Sequence, residues 1–240
     1  MIEAPAKLFV EVDLSNEHPQ AQQWFPVFDY HQTVDPEILD YSNPKNQVGH
    51  FQRAIACWHA IQAGLKGDVT LDLGGAGVHM PWVVSTDIIR AGATHPVYGG
   101  TYSGVHVACD SSDLGIFGTG TFGCVLALHH IEHLTCKYFF HKDPAILPSE
   151  YKRAFQCDGS ELLPILRDHW IRILKPGGTL VIITPDENVC DGFGADKSHT
   201  HTWRYETFRD VIISGVRDLV ETVEFESSTK FSMHWVARKK

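Results

Sequence analysis

The stretch TFGCVLAL, residues 121–128, is almost wholly apolar, and a second such run, TLVIITPD, follows at 179–186. A strand with one wet face alternates apolar and polar side chains. A run without that alternation is covered on both faces, the condition of a central strand in a parallel sheet. Two such runs in one chain therefore call for helices on both sides of an open α/β sheet.

The rest of the chain supplies those parts. SNPKNQVGHFQRAIACWHAIQAGLKG reads as a helix, with Asn43 as cap, Pro44 in the first turn and Gly67 as the stop. Phe51, Ile55, Trp58, Ile61 and Leu65 recur along it at helical spacing. DVTLDLGGAG is a short apolar strand running into a glycine turn, and WVVSTDI (82–88) and GVHVACD (104–110) are further strands. ELLPILRDHWIRIL and WRYETFRDVIISGV read as helices, the first stopped by KPGG. LVETVEFES and KFSMHWVAR alternate as two strands joined by a short turn, which predicts an antiparallel C-terminal edge pair. The sequence shows no linker or repeat, so a single domain over 1–240 is expected. Within it, 1–42 is expected to form an N-terminal cover segment and 135–160 an insertion lining the acceptor site.

Bulk properties narrow the function. The formal charge is −9, from 29 acidic against 20 Lys and Arg residues, and the one basic cluster is the terminal ARKK. A nucleic-acid binder needs a concentrated positive surface, so a small-molecule partner is expected instead. No apolar run reaches the ~18 residues of a membrane span, and MIEAPAKLFVEVDLSNE does not read as a secretory leader, so a cytoplasmic protein is expected. Six cysteines without a CxxC pair fit reduced, mostly buried thiols better than a disulfide or zinc framework.

In order and spacing, VTLDLGGAG, WVVSTDI, VHVACDSSDL, TFGCVLALHHIEHL and WIRILKPGGTLVIITPD resemble the class I S-adenosylmethionine-dependent methyltransferases, in particular their type 11 branch, over roughly residues 45–215. The resemblance implies a Rossmann-like fold, a mostly parallel open sheet with helices on both faces, and S-adenosylmethionine as cofactor. It implies that Asp72 and the turn Gly74, Gly75, Gly77 face the methionine end, and that Asp87 takes the ribose hydroxyls. Asp110 and Ser111 would sit at the adenine amine, with Leu128 and His129 near the sulfonium. The competing reading of Asp110 is a helix cap or loop aspartate. Two features depart from the family. Ala76 stands where most members carry glycine, and the link from the turn to WVVSTDI is short for a crossover helix. The rival parse makes MPWVVSTDIIRAG that helix, which would remove Asp87 from the ribose.

LALHHIEHLT raises the question of chemistry. On a helix beginning near residue 130, His129, Glu132 and His133 stand at i, i+3, i+4 and project to one side. Imidazole with carboxylate is a usable set for zinc, iron or manganese. His199, in DKSHTHTWRYETF after the fifth apolar strand, points to the same rim as a fourth candidate. The spacing of His129-x-x-Glu132-His133, with His199 before Trp203 and Phe208, is similar to the metal motif of small-RNA 2′-O-methyltransferases and, in part, of ubiquinone-pathway O-methyltransferases. That similarity implies an ion held by His129, Glu132, His133 and His199. The departure is His129, where those families carry glutamate, and one fewer carboxylate favours a softer ion. Without a metal, His129 or His133 serves as a general base. In the plainest reading, Glu132 caps the helix or pairs with an arginine and His133 packs. His130, His141 and His201 are expected to be exposed bystanders. The expectation is O-methylation of a small hydroxyl-bearing acceptor, because a hydroxyl needs a base or a metal to lose its proton. Two alternatives are a catalytically inactive methyltransferase-like binding protein and another Rossmann-type nucleotide enzyme.

Overall fold

The computed structural model describes residues 47–74, 80–88, 105–134, 158–192, 199–227 and 231–240. The cover segment 1–42, Asn43, Pro44, Gly75, Ala76, Gly77, His141 and residues 135–157 of the insertion lie outside the described residues, as does the side chain of Phe51.

Among the described residues one sheet of seven strands organises the fold: β1 (Thr70–Leu73), β2 (Val83–Asp87), β3 (Val107–Ala108), β4 (Phe122–Leu128), β5 (Leu174–Pro185), β6 (Val220–Ser227) and β7 (Ser232–Lys239). Their spatial order is β3-β2-β1-β4-β5-β7-β6. The first five strands run parallel, whereas β7 is antiparallel to both β5 and β6. This is the expected Rossmann-like sheet with its antiparallel C-terminal edge.

The uninterrupted apolar runs have a direct cause. On β4, Cys124, Leu126 and Leu128 pack with α1 (Gln47–Leu65), while Val125 and Ala127 join the opposite core with Leu166, Trp170, Ile212 and Val216. Both faces are covered, so neither set of alternate positions tolerates a polar side chain. The helices of the second face widen to π turns at Leu166–Ile171 and Arg209–Ile213. The strand β5 starts at Leu174, earlier than the sequence suggests: Phe122 pairs with Leu174, and the register then shifts across the KPGG bulge.

WVVSTDI is a strand, not a crossover helix, and residues 74–82 make the whole link from β1 to β2. The buried face of α1 corrects the sequence expectation in part. Ile61 is buried and Ile55 packs against the core as the spacing predicts, but Trp58 and Leu65 are 59% and 60% exposed, and the helix also buries Ala56, Cys57, Ala60, Ala63 and Gly64. Bulk at this contact comes from the sheet side, where the buried Trp82 indole lies against the helix and donates Nε1–H to the Ala60 carbonyl at 2.8 Å. A Cβ on Gly64 would stand 2.4 Å from that ring, so only small residues fit.

Candidate functional site

In an open parallel sheet the carboxyl ends of the strands form the ligand rim, and the chain turns back between β1 and β4. Register places the candidate residues there. Leu73 pairs with Thr86 on one side and Ala127 on the other, and Asp87 pairs with Ala108. Gly74, Asp87, Asp110, Ser111, Leu128 and His129 therefore end adjacent strands or follow directly on them. Asp72 lies one residue deeper and is fully buried. Asp87, the last residue of β2, is 9% exposed. The Asp110 side chain closes its own loop, with Oδ1 accepting from Ser112 N at 2.8 Å and Ser112 Oγ at 2.7 Å. One oxygen of this carboxylate thus fills the loop-aspartate role weighed against the adenine role.

The histidine segment folds more tightly than an α-helix: Ile131–His133 is a single 3-10 turn. His129 and His130 precede this turn with non-helical backbone, so no helical spacing relates them to Glu132 and His133. His129 and Glu132 stand together, Nδ1 to Oε1 3.2 Å, while His133 turns toward His199, with ring centroids 4.7 Å apart. Among the described residues, Glu132, His133 and His199 can each bring a ligand atom within 4.8 Å of the others. His129, expected as a fourth ligand, stands outside that group. Its backbone sits in the left-handed region at φ 48°, and its Nε2 lies 3.2 Å from Ser232 Oγ at the start of β7.

Glu132 is fully buried and heavily supported. Its Oε2 accepts from Thr184 Oγ1 at 3.0 Å, and its carbonyl accepts from Thr200 N at 2.8 Å and His201 N at 3.1 Å. Burial pushes the carboxyl up. The hydrogen bond and charge of His129, with the charges of His133 and His199, outweigh that and bring it down to about 2. His199 is 6% exposed, and its Nδ1 lies 2.7 Å from the Gly192 carbonyl. A carbonyl only accepts, so Nδ1 carries the proton, and Nε2 faces Glu132 Oε1 at 3.9 Å.

Two histidines expected at the surface are not there. His201 is 1% exposed, stacks on Trp203 at 5.5 Å and pairs with Glu161 at 2.5 Å. His130 is half-buried, with Nε2 2.6 Å from Ser111 Oγ. Burial and His133 drive its pKa down to about 4, against smaller upward effects of Glu132 and Asp110. Sequence reasoning also passed over Thr184, Gly192, Thr200 and Ser232. Of these, Thr200 carried a usable signal, since it directly follows His199.

No protein-family model and no curated protein matches the chain. Solved structures similar to it include a SAM-dependent methyltransferase from Archaeoglobus fulgidus, at 17% identity and TM-score 0.45, covering 85% of this chain and 100% of that one. Another, from Aquifex aeolicus, shows 14% identity and TM-score 0.45, covering 87% and 100%. The magnesium protoporphyrin IX methyltransferase of Synechocystis shows 14% identity and TM-score 0.43, covering 85% and 89%.

Proposed function

We propose that the protein is an S-adenosylmethionine-dependent methyltransferase that methylates a hydroxyl of a small acceptor with the help of a divalent ion. The observation that carries this reading is the convergence of Glu132, His133 and His199, with His129 bonded to Glu132, near the rim that also bears Gly74, Asp87 and Ser111. The donor types suit the cofactor: a carboxylate at Asp87 can accept both hydrogen bonds of a ribose diol.

S-adenosylmethionine supplies an electrophilic methyl group on a sulfonium, so the chain has to align the acceptor and remove its proton. Glu132, His133 and His199 are the residues that would hold the ion, and one carboxylate with two imidazoles suits zinc, iron(II) or manganese better than magnesium. Such an ion lowers the pKa of a bound hydroxyl. The Gly192 carbonyl keeps the His199 proton on Nδ1 and turns Nε2 toward Glu132, the arrangement that orients a metal-binding histidine. His129 is the proton acceptor in this scheme. Glu132 receives its Nδ1–H, and the Nε2 position, which meets Ser232 Oγ in this structure, is where the acceptor hydroxyl docks.

Calorimetry with S-adenosylmethionine, S-adenosylhomocysteine and NAD tests the cofactor, and metal analysis of untagged protein tests the ion. Methyl transfer to a panel of phenolic and sugar acceptors, with and without chelator, tests the reaction. Failure to bind S-adenosylmethionine at millimolar concentration overturns the reading. Binding without transfer to any acceptor class favours the inactive, cofactor-binding alternative.

A further inference from the structure

We propose that His130 is a positioning residue for the nucleoside of the methyl donor, bracing Ser111 against Gly74 at the end of β1. The proposal rests on the reading that S-adenosylmethionine binds at this rim.

His130 follows β4 and reaches back across the mouth of β1. Its ring takes the space a side chain would need on Gly74, where a Cβ would lie 2.2 Å from Nδ1 and 2.8 Å from Cγ. The other ring nitrogen, Nε2, meets Ser111 Oγ at 2.6 Å, just past β3. Behind it the fully buried Trp170 stacks on His130, with centroids 6.2 Å apart and planes at 21°, and donates Nε1–H to the Ser111 carbonyl at 2.8 Å. Ser111 is therefore gripped twice, at its hydroxyl and at its carbonyl, by two rings that lean on each other. The ends of β1, β3 and β4 meet through this single imidazole.

A serine hydroxyl has one proton and two acceptor sites, and it rotates until something fixes it. The contact with His130 takes one of these valences and sets the direction of the rest. A nucleobase, with its amine and ring nitrogens at fixed angles, gains from a partner whose direction is set before binding. Asp110 has one oxygen closing its own loop, so Ser111 carries more of this recognition than the resemblance alone implies.

The test is calorimetry of S-adenosylhomocysteine and of adenosine alone, on the full chain and on His130→Ala, His130→Gln, Ser111→Ala, Trp170→Phe and the His130→Ala/Ser111→Ala pair, with unfolding midpoints recorded for each. His130→Ala is expected to weaken both ligands by the same factor, about tenfold, because the loss lies at the nucleoside end. His130→Gln, whose amide reaches the place of Nε2, is expected to recover most of it. The double variant should lose no more than the larger single loss, since the two residues act as one unit. Trp170→Phe keeps a ring but drops the donor to Ser111 and should weaken adenosine by a smaller factor. The proposal is overturned if His130→Ala, or His130→Gln and Trp170→Phe where the alanine variant does not fold, binds adenosine as the unaltered chain does, or if the single losses multiply in the pair. If the unaltered chain binds S-adenosylmethionine but His130→Ala changes nothing, the positioning role alone falls. If the unaltered chain binds neither S-adenosylmethionine nor S-adenosylhomocysteine, the cofactor reading falls and takes the proposal with it.

Discussion

His199 gives its Nδ1 proton to the carbonyl of Gly192, 2.7 Å away, and its second nitrogen thereby faces the buried carboxylate of Glu132. A histidine fixed in this way is ready to bind a cation without rearranging. Zinc or cobalt(II) is therefore expected to raise the unfolding midpoint of the native chain, because a ligand that binds the folded form stabilises it by mass action. In His133→Ala and His199→Ala that rise is expected to shrink by most of its size. An equal rise in all three proteins would remove the ion from this site.

Gly74 sits at φ 79° with the His130 imidazole against it. Alanine there meets both a strained backbone and a ring it cannot displace without breaking the Ser111 contact. Gly74→Ala is expected to lower stability by about 2 kcal/mol. Denaturant unfolding measures this, and a change below a few tenths would show that the turn readily rearranges.

The thiols of Cys109 and Cys124 are fully buried in the sheet, and burial, with nearby carboxylates, pushes their pKa far above the usual thiol range. Alkylation depends on thiolate, so both should stay unlabelled in the folded protein and react only after denaturant is added. Mass-spectrometric mapping decides this; labelling of Cys124 under native conditions would mean that β4 opens readily.

Burial lowers the pKa of His59 on α1; Glu224 opposes the shift and His234 adds to it. The folded chain then binds this proton less readily than the unfolded chain, whose histidine titrates near pH ~6.5. The contribution is complete above that value and is lost as pH falls through it toward the lower folded pKa. His59→Gln, which removes the titration, is expected to show a shallower loss of thermal stability between about pH 7 and pH 5. Identical slopes in the two proteins would show that His59 is hydrated and ordinary.

The central strands were legible because each is covered on two faces, and that condition is written into the unbroken apolar runs FGCVLAL and LVII. The inward face of α1 was legible only in part. Ile55 and Ile61 face inward as their spacing predicts, yet Trp58 and Leu65 do not, and the Trp82 indole against Gly64 and the Ala60 carbonyl leaves room there only for small residues. That constraint comes from another element. The site divides in the same way. Glu132, His133 and His199 were identifiable by residue type and spacing. His129 parts from His133 because its own backbone is left-handed and the α-helix expected there is only a single 3-10 turn starting at Ile131. The burial of His130 and His201 depends on Gly74, Ser111, Trp170, Glu161 and Trp203, all distant in sequence.

Among the described residues β6 is the last strand in the order, and it carries Glu221, Glu224 and Glu226 along a largely exposed length, Glu224 being paired with His234. An unpaired strand edge is a template on which another chain can add itself, and a row of like charges makes that addition costly. The acids of β6 thus act against self-association as much as for solubility. Neutralising them, by acid or by Glu→Gln exchange, should turn this edge into the place where the protein begins to aggregate.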